Sequence, residues 1–422
     1  MWFASHLSMQ SEWFIARRLF FSEDSTGRMS RPAVRVALTA IIIGVVVMIV
    51  SLFVIAGFKK EVSRKVVGFQ SHIQVVNFEN NNTFELTPIR YDSTLLRLIT
   101  QTKGVSAAQP FITKPGIIKT ADNFHGIVLK GEPLPSDDNP DFWEFFSHNI
   151  DRGRLPEKSN EVILSSMLAR QLSLDLDSSF LCYFVGKDIR VRKYTISGLY
   201  TTGLSEADDM FVIGDIDGLR QLNAFSNDQA SGIDILISDR SDIFRIYDEL
   251  YINIVNRFDD DGNAYYLNNI IDNNPNIFKW LDLLDKNVLI IILLMLAVSI
   301  ANITTSLIII IMDSIRLIGT LKSLGSCNKF VSRIFFIEGG LLVAKGMVWG
   351  NLIGLTLCAL QYAFHIIPLD PQSYYVDFVP IAFDWGWWLL LNIFILTVIM
   401  LTLILPSRFV SRISPAEVMR YE

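Results

Sequence analysis

Four stretches of the chain stay apolar for about the 20 residues that a helix needs to cross a bilayer core. The first is Val36 to Phe58, VALTAIIIGVVVMIVSLFVIAGF, and carries no charge. The second, Val288 to Met312, is also uncharged. The third runs from near Ile334 to near Phe364, the fourth from Trp385 to Leu405. A buried core helix is the alternative for any one of them, most of all for the third, which holds Glu338 and Lys345. Four in one chain predict a multi-pass α-helical membrane protein. The first run is too long for a signal-peptide core and has no convincing small-residue cleavage site, so it reads as an uncleaved anchor.

Between the second and third runs lies MDSIRLIGTLKSLGSCNKF, Met312 to Phe330. At helical spacing Ile315, Ile318, Leu321 and Leu324 share one face, Arg316, Thr320 and Lys322 point elsewhere, and Gly319 leaves a gap. Ahead of the first run, SEWFIARRLFF (Ser11 to Phe21) sets Trp13, Phe14, Ile15 and Leu19 beside Arg17 and Arg18, an amphipathic helix suited to a membrane interface. The long segment 59–286 mixes both periods. HIQVVNF, GIIKT, HGIVLKG, IRVRKYTISGLY and GIDILISD alternate as strands. YDSTLLRLITQTKGV reads as a helix stopped at Gly104, SNEVILSSMLARQLSL as strand then helix, and Asp242 to about Phe258 as a helix. The pattern is α+β, on a length sufficient for its own core, with no internal repeat.

Composition agrees. Half of the residues are hydrophobic, 19% are charged, and mean hydropathy is +0.36. Basic residues set orientation when they lie close to spans. Arg17, Arg18, Arg28, Arg31 and Arg35 precede the first span, although Lys59 and Lys60 follow it at once. Arg316, Lys322, Lys329 and Arg333 lie between the second and third, and Arg408, Arg412 and Arg420 follow the fourth. Four crossings put these three groups on one side, the cytoplasmic one. Residues 58–286 carry nine more acidic than basic residues, which suits an outer domain and excludes the concentrated positive charge that nucleic acid requires. Cys182, Cys327 and Cys358 fall outside, inside and within a span, so no disulfide framework is indicated.

Catalytic sets are missing from the pattern. His72, His125, His148 and His365 are scattered, and neither H-E-x-x-H nor G-x-S-x-G occurs. DDDG at Asp259 to Gly262 lacks the ligand alternation of a calcium loop and reads as a solvated turn. SEADDMF at Ser205 to Phe211 is a second acidic turn. The G-K pair Gly186-Lys187 would need glycine at 181 to make a phosphate loop, and Leu181 stands there. No catalytic residue and no metal ligand is assigned. Glu338 and Lys345, seven apart, share a face of the third span. Charge at that depth suggests function, against the plainer reading that Glu338 sits at the cytoplasmic end, solvated or paired with Arg333. Gly346, Gly350 and Gly354 form a stripe that predicts close packing against another span, in this chain or across a dimer.

Several stretches together resemble the lipoprotein-releasing Lol-type permeases: FIARRLFFS, GFKKEV, GFQSHIQV and ISGLYTTGLSEADDMFV, with the loop IPLDPQSYYVDFVP and the tail RISPAEVMRYE. IGTLKSLGSCNKFVSRIFFIEG resembles FtsX-like and MacB-like ABC permeases more generally. The resemblance spans nearly the whole chain. It implies four transmembrane helices with a large α+β, MacB-like periplasmic domain between the first two. The expected divisions are residues 1–33, a cytoplasmic segment with the amphipathic helix; span 34–58; periplasmic domain 59–286; and span 287–312. A cytoplasmic coupling loop 313–333, span 334–364, periplasmic loop 365–384, span 385–405 and cytoplasmic tail 406–422 follow.

The same resemblance implies a place in the bacterial inner membrane with both termini cytoplasmic. It implies a dimer with a second permease copy or paralogue, and a cytoplasmic ABC ATPase that holds ATP and Mg, this chain holding no cofactor. Movement of the outer domains then lifts a lipoprotein cargo from the membrane to a periplasmic lipoprotein carrier, which presumes a cell with two membranes. Ile315, Arg316, Ile318, Gly319, Leu321, Lys322, Leu324 and Gly325 are the expected ATPase-coupling residues. Leu317 stands where many relatives carry an acidic residue, which removes any salt bridge made there. Val47, Val50, Val54, Leu293 and Leu296 are the expected lipid path between spans one and two, with ordinary packing as the alternative. An efflux or cell-wall-hydrolase-regulating permease of the same superfamily, and a membrane-anchored enzyme, are the competing readings. The short loop with YYVDFVP favours the Lol branch, and the missing catalytic set argues against the enzyme.

Overall fold

The computed structural model describes residues 12–18, 30–80, 87–120, 123–136, 140–184, 189–239, 242–255, 257–259 and 261–409. Residues 12–18 are helical; the remainder of Ser11 to Phe21 and the tail motif RISPAEVMRYE lie outside the described residues. The chain forms two compact units. A membrane unit comprises Met1–Lys59, Leu281–Ile367 and Val379–Glu422, and an outer unit comprises Lys60–Trp280 and Pro368–Phe378.

Six helices matter most for function: α1 (Ser30–Gln70), α2 (Pro140–Asn149), α3 (Pro275–Asp313), α4 (Ile315–Ser323), α5 (Asn328–Phe364) and α6 (Trp385–Phe409). Four of them, α1, α3, α5 and α6, are long and apolar enough to cross a membrane. α1 runs well past its apolar stretch, Val36 to Phe58, and α3 begins well before its own, Val288 to Met312. At 41 residues α1 is about 60 Å long. The membrane unit packs around Ile41, Val45, Ile49, Ile303, Phe335 and Ile399, all buried.

Among the described residues the outer unit holds twelve strands: β1 (Ile73–Asn77), β2 (Ile89–Arg90), β3 (Val105–Lys119), β4 (Phe124–Glu132), β5 (Ile150–Gly153), β6 (Glu161–Ser165), β7 (Ser179–Phe184), β8 (Arg190–Tyr200), β9 (Phe211–Asp215), β10 (Gln229–Ala230), β11 (Gly232–Ile237) and β12 (Tyr265–Asn269). The main sheet runs β12-β1-β11-β3-β4-β9-β6-β8-β5, and β7 pairs with both β3 and β8. The pairings β3-β4-β9-β6-β8-β7 therefore close into a six-stranded ring. β3 serves both parts: Val105 to Phe111 pairs with β11, and Ile112 to Lys119 pairs with β4. Helices form where the sequence placed them. Asp92 caps Ser93–Gln101 by accepting from the Leu95 N–H at 2.7 Å, and Gly104 follows at φ +100°. Asp215 and Ser165 cap the helices that follow β9 and β6 in the same way.

Ile118, Leu129, Val162, Phe184, Ile196 and Val212 fill the core that the ring and its helices share, together with Cys182. Burial pushes the Cys182 thiol up to about 12. A thiol reacts as its thiolate. N-ethylmaleimide at about pH 8 is therefore expected to modify the exposed Cys327 and to spare Cys182 until the outer unit unfolds. Peptide mass spectrometry reads both sites, and equal labelling of the two would mean an open ring.

Candidate functional site

α4 starts directly after α3, with the Ser314 N–H bonded to the Ile310 and Ile311 carbonyls. It ends in a Schellman turn: the Ser326 N–H donates to Leu321 O and the Gly325 N–H to Lys322 O, both at 3.0 Å. Gly325 has φ +91°, which a side chain would oppose. The apolar ridge seen in the sequence divides here. Ile318 is fully buried and Leu321 packs on the membrane-unit core. Leu324 is 78% exposed, with Arg316, Thr320 and Ser323 also exposed, while Ile315, Leu317, Gly319 and Lys322 are half-buried. The outward surface of α4 is thus one leucine among polar and basic groups, on a helix whose other face is fixed to the spans.

The glycine stripe of α5 packs on α1 of the same chain. A Cβ at Gly346 would stand 2.6 Å from Ile41 Cγ2, one at Gly350 2.7 Å from Val45 Cβ, and one at Gly354 3.4 Å from Ile49 Cβ. The two helices approach one turn at a time, aliphatic residue over glycine, which is how spans gain dispersion contact when lipid removes the hydrophobic drive. A second contact was not read from the sequence. Asn351 on α5 and Asn392 on α6 exchange side-chain hydrogen bonds at 2.7 and 3.1 Å. The Trp388 indole also donates to Asn351 Oδ1, at 2.8 Å. Its signal was two isolated amides in apolar runs, WGNLIG and LLLNIF.

Glu338 is half-buried on α5 and Lys345 is exposed on it. Of the five residues expected to line a lipid path, Val47, Val50 and Val54 are half-buried on α1, and Leu293 is 52% exposed on α3. Leu296 is 6% exposed and belongs to the packed interior.

In the outer unit α1 ends against a cluster of charge and aromatic rings. Phe69 is 2% exposed and meets Phe145 and Phe146 of α2, Tyr200 and Phe211 at centroid distances of 5.5–6.2 Å. Its carbonyl accepts a hydrogen bond from the Lys130 ammonium at 2.9 Å. Lys130 also pairs with Glu132 and Asp234 at 2.7 Å each, and all three side chains are buried. Gln109 donates to Glu132 at 2.6 Å and Gln74 to Asp234 at 2.8 Å. Burial opposes the lysine charge, but Asp234 and Glu132 more than offset it and hold Lys130 above the ordinary lysine value. Burial raises the Glu132 carboxyl, against the pull of Lys130. SEADDMF, expected as an acidic turn, is instead the helix Ser205–Met210 running into β9; its buried Asp208 accepts from Thr202 Oγ1 at 2.7 Å and from the Thr202 and Gly203 N–H groups at 3.2 and 3.1 Å, just ahead of the helix. Asp208 holds a turn there.

Residues 36–250 match the MacB-like periplasmic core domain, and residues 289–415 match the FtsX-like permease C-terminal region. The chain is 24% identical to the lipoprotein-releasing system transmembrane protein LolC of Neisseria meningitidis serogroup B over 92% of this chain and 94% of that one. It is 22% identical to LolC of Xylella fastidiosa, strain Temecula1, over 92% and 93%. It is 20% identical to LolE of Haemophilus influenzae over 97% and 99%.

Two variants test this packing. Gly350→Ala is expected to destabilise the membrane unit by about 1–3 kcal/mol through overpacking, and Gly354→Ala, whose Cβ would meet Ile49 at ordinary contact distance, to cost clearly less, read as thermal midpoints in detergent. In the outer unit the sign follows from Glu132. Its carboxyl lies above the ordinary 4.5 when folded, so its stabilising effect is full below that value and is lost as pH rises through the elevated one. The difference in thermal midpoint between wild type and Glu132→Gln should therefore move in favour of the variant as pH rises from 4.5. A difference independent of pH would refute the assignment.

Proposed function

We propose a function from one premise: this chain belongs to the FtsX/MacB-like ABC transporter permeases, in their lipoprotein-releasing Lol-type branch. It is the permease subunit of an ATP-driven complex that passes force across the inner membrane, extracts lipoproteins and hands them to a periplasmic carrier. The observation that carries this reading is likeness to lipoprotein-releasing relatives along nearly the whole chain, 92% of it in one case and 97% in another. Two sets of spans and an outer unit in the same order make a borrowed fragment an inadequate explanation.

Permeases of this family work with an ATPase and a second permease. In the proposed arrangement both termini and α4 are cytoplasmic, and the outer unit is periplasmic. α4 docks on the ATPase through its outward residues, Arg316, Thr320 and Leu324, while Ile318 and Leu321 tie the same helix to the spans. Ile315, Gly319, Lys322 and Gly325 shape the edges of that contact. An apolar anchor ringed by polar groups suits a groove on a partner. ATP and Mg are bound by the ATPase chain, and this chain contributes no catalytic group. Movement at α4 passes to α3 and α5, which flank it in sequence, and α1 and α3 continue as helices into the outer unit. Lipoprotein acyl chains enter beside Val47, Val50, Val54 and Leu293, with Leu296 behind them.

Affinity purification from native membranes in mild detergent tests this. Wild type is expected to bring down an ABC ATPase and lipoproteins. Arg316→Glu with Leu324→Asp, both on the exposed side of α4, should lose the ATPase by about tenfold or more, as expected when interface anchors are removed, and should keep the lipoproteins. An ATPase without lipoproteins would move the reading to efflux or regulation. No ATPase with either protein would overturn it.

A further inference from the structure

Lys65 of α1 lies in the outer unit and is 5% exposed. A lysine ammonium has three N–H donors. Among the described residues it makes one hydrogen bond, to the Tyr375 carbonyl at 3.1 Å. Its one ion pair among the same residues, with Asp377 Oδ2 at 3.8 Å, is beyond hydrogen-bond reach. A buried cation with so few partners costs stability, so packing alone does not account for it.

Both partners belong to the loop between the third and fourth spans, of which Pro368–Phe378 is part of the outer unit. That loop is closed at its base by the bridge Pro368↔Phe378 and by the Leu369 N–H on the Asp377 carbonyl at 2.9 Å. Val376 is 2% exposed, and the Tyr375 ring meets Trp280 edge-on at 5.7 Å. Tyr375 has φ +60°, a strained value that a tyrosine keeps where its surroundings impose it. Gly203 closes the other side. At φ +73°, any Cβ it carried would stand 2.8 Å from Lys65 Nζ and 2.9 Å from Asp377 Oδ2. The turn that presents Gly203 is the one held by Asp208.

The chain passes between its two units at residues 59–60, 280–281, 367–368 and 378–379. The first two passages lie within continuous helices, α1 and α3. The last two flank this loop, which the outer unit holds by noncovalent contact alone. We propose that Lys65 is a positioning residue of the transport cycle: it latches the loop between the third and fourth spans to the outer unit, so that movement of those spans reaches that unit. The inference rests on the function proposed above.

The test uses the complex purified from native membranes and spheroplasts that carry it. Lys65→Met replaces the ammonium with an apolar chain of similar length, and Asp377→Asn alters a 56% exposed carboxylate, so both are expected to fold. Three quantities are read: ATP hydrolysis, release of acyl-labelled lipoproteins into periplasmic extract, and hydrogen exchange across residues 368–378. In Lys65→Met, exchange in the loop should rise and release should fall about tenfold, while ATP hydrolysis stays within about twofold, a size ordinary for coupling between sites. Asp377→Asn leaves the carbonyl bond and should fall between. Unchanged exchange would show that Lys65 does not hold the loop. Faster exchange with unchanged release would show that the latch exists and carries no movement. Either result overturns the proposal. A wild-type complex that hydrolyses ATP and releases no lipoprotein would instead overturn the release reading and this role with it, while the exchange data would still report on the latch.

Discussion

The Phe69 carbonyl and the Lys130 ammonium meet at the end of the longest helix in the protein, and the outer unit is arranged around that bond. A helix leaves its last carbonyls without partners, and its C-terminal end attracts positive charge. Water usually meets both needs. Here the end is buried, so a lysine from β4 meets them, and Glu132 and Asp234 from two strands keep that lysine charged. Breaking such a cluster by removing one partner costs about 3–5 kcal/mol. The Phe69 side chain enters an aromatic cluster from the same residue. One residue thus fixes both the direction and the rotation of the helix end within the sheet.

The membrane unit uses different means for the same task. Its neighbours are apolar, so burial of hydrocarbon gives little preference for one contact over another. Close approach at Gly346 and Gly350, and the paired amides of Asn351 and Asn392, supply that preference. The first joins α5 to α1 and the second joins α5 to α6. α5 is therefore the helix to which its neighbours are registered. α4 stands directly before it in sequence, with one face already committed to the spans.

Four spans, the intervening α+β domain and the glycine stripe were legible in sequence, because each rests on a local period: about twenty apolar residues, alternation, or a repeat of four. The stripe was expected to meet another span, and α1 is that span. The ridge Ile315, Ile318, Leu321 and Leu324 was legible as a helix face. Its division between the bundle and the outside was not, because spacing shows which residues share a face and not what covers it. Lys130, Glu132 and Asp234 gave no signal at all. Two lie in one strand and the third about a hundred residues later, and only pairing through β3 brings them together. Lys65 gives no local signal either. Its burial depends on a loop more than three hundred residues away.

The strand order sets a schedule for the chain as it is made. All six strands of the ring lie between Val105 and Asp215, so the ring can close once Asp215 is available. β1 comes earlier than any of them. Yet its partners are β11 and β12, with Ile73 opposite Ile235 on one side and Asn269 on the other. The first strand of the outer unit to be synthesised is therefore among the last to be paired. Val75 and Val76, buried in the finished sheet, wait in the open until the chain has nearly reached its second span. A bare apolar strand is a template for wrong partners, and non-local pairing is slow. The interval between making β1 and making β12 is where this protein is most exposed to misassembly during synthesis, and where a holding factor would matter most.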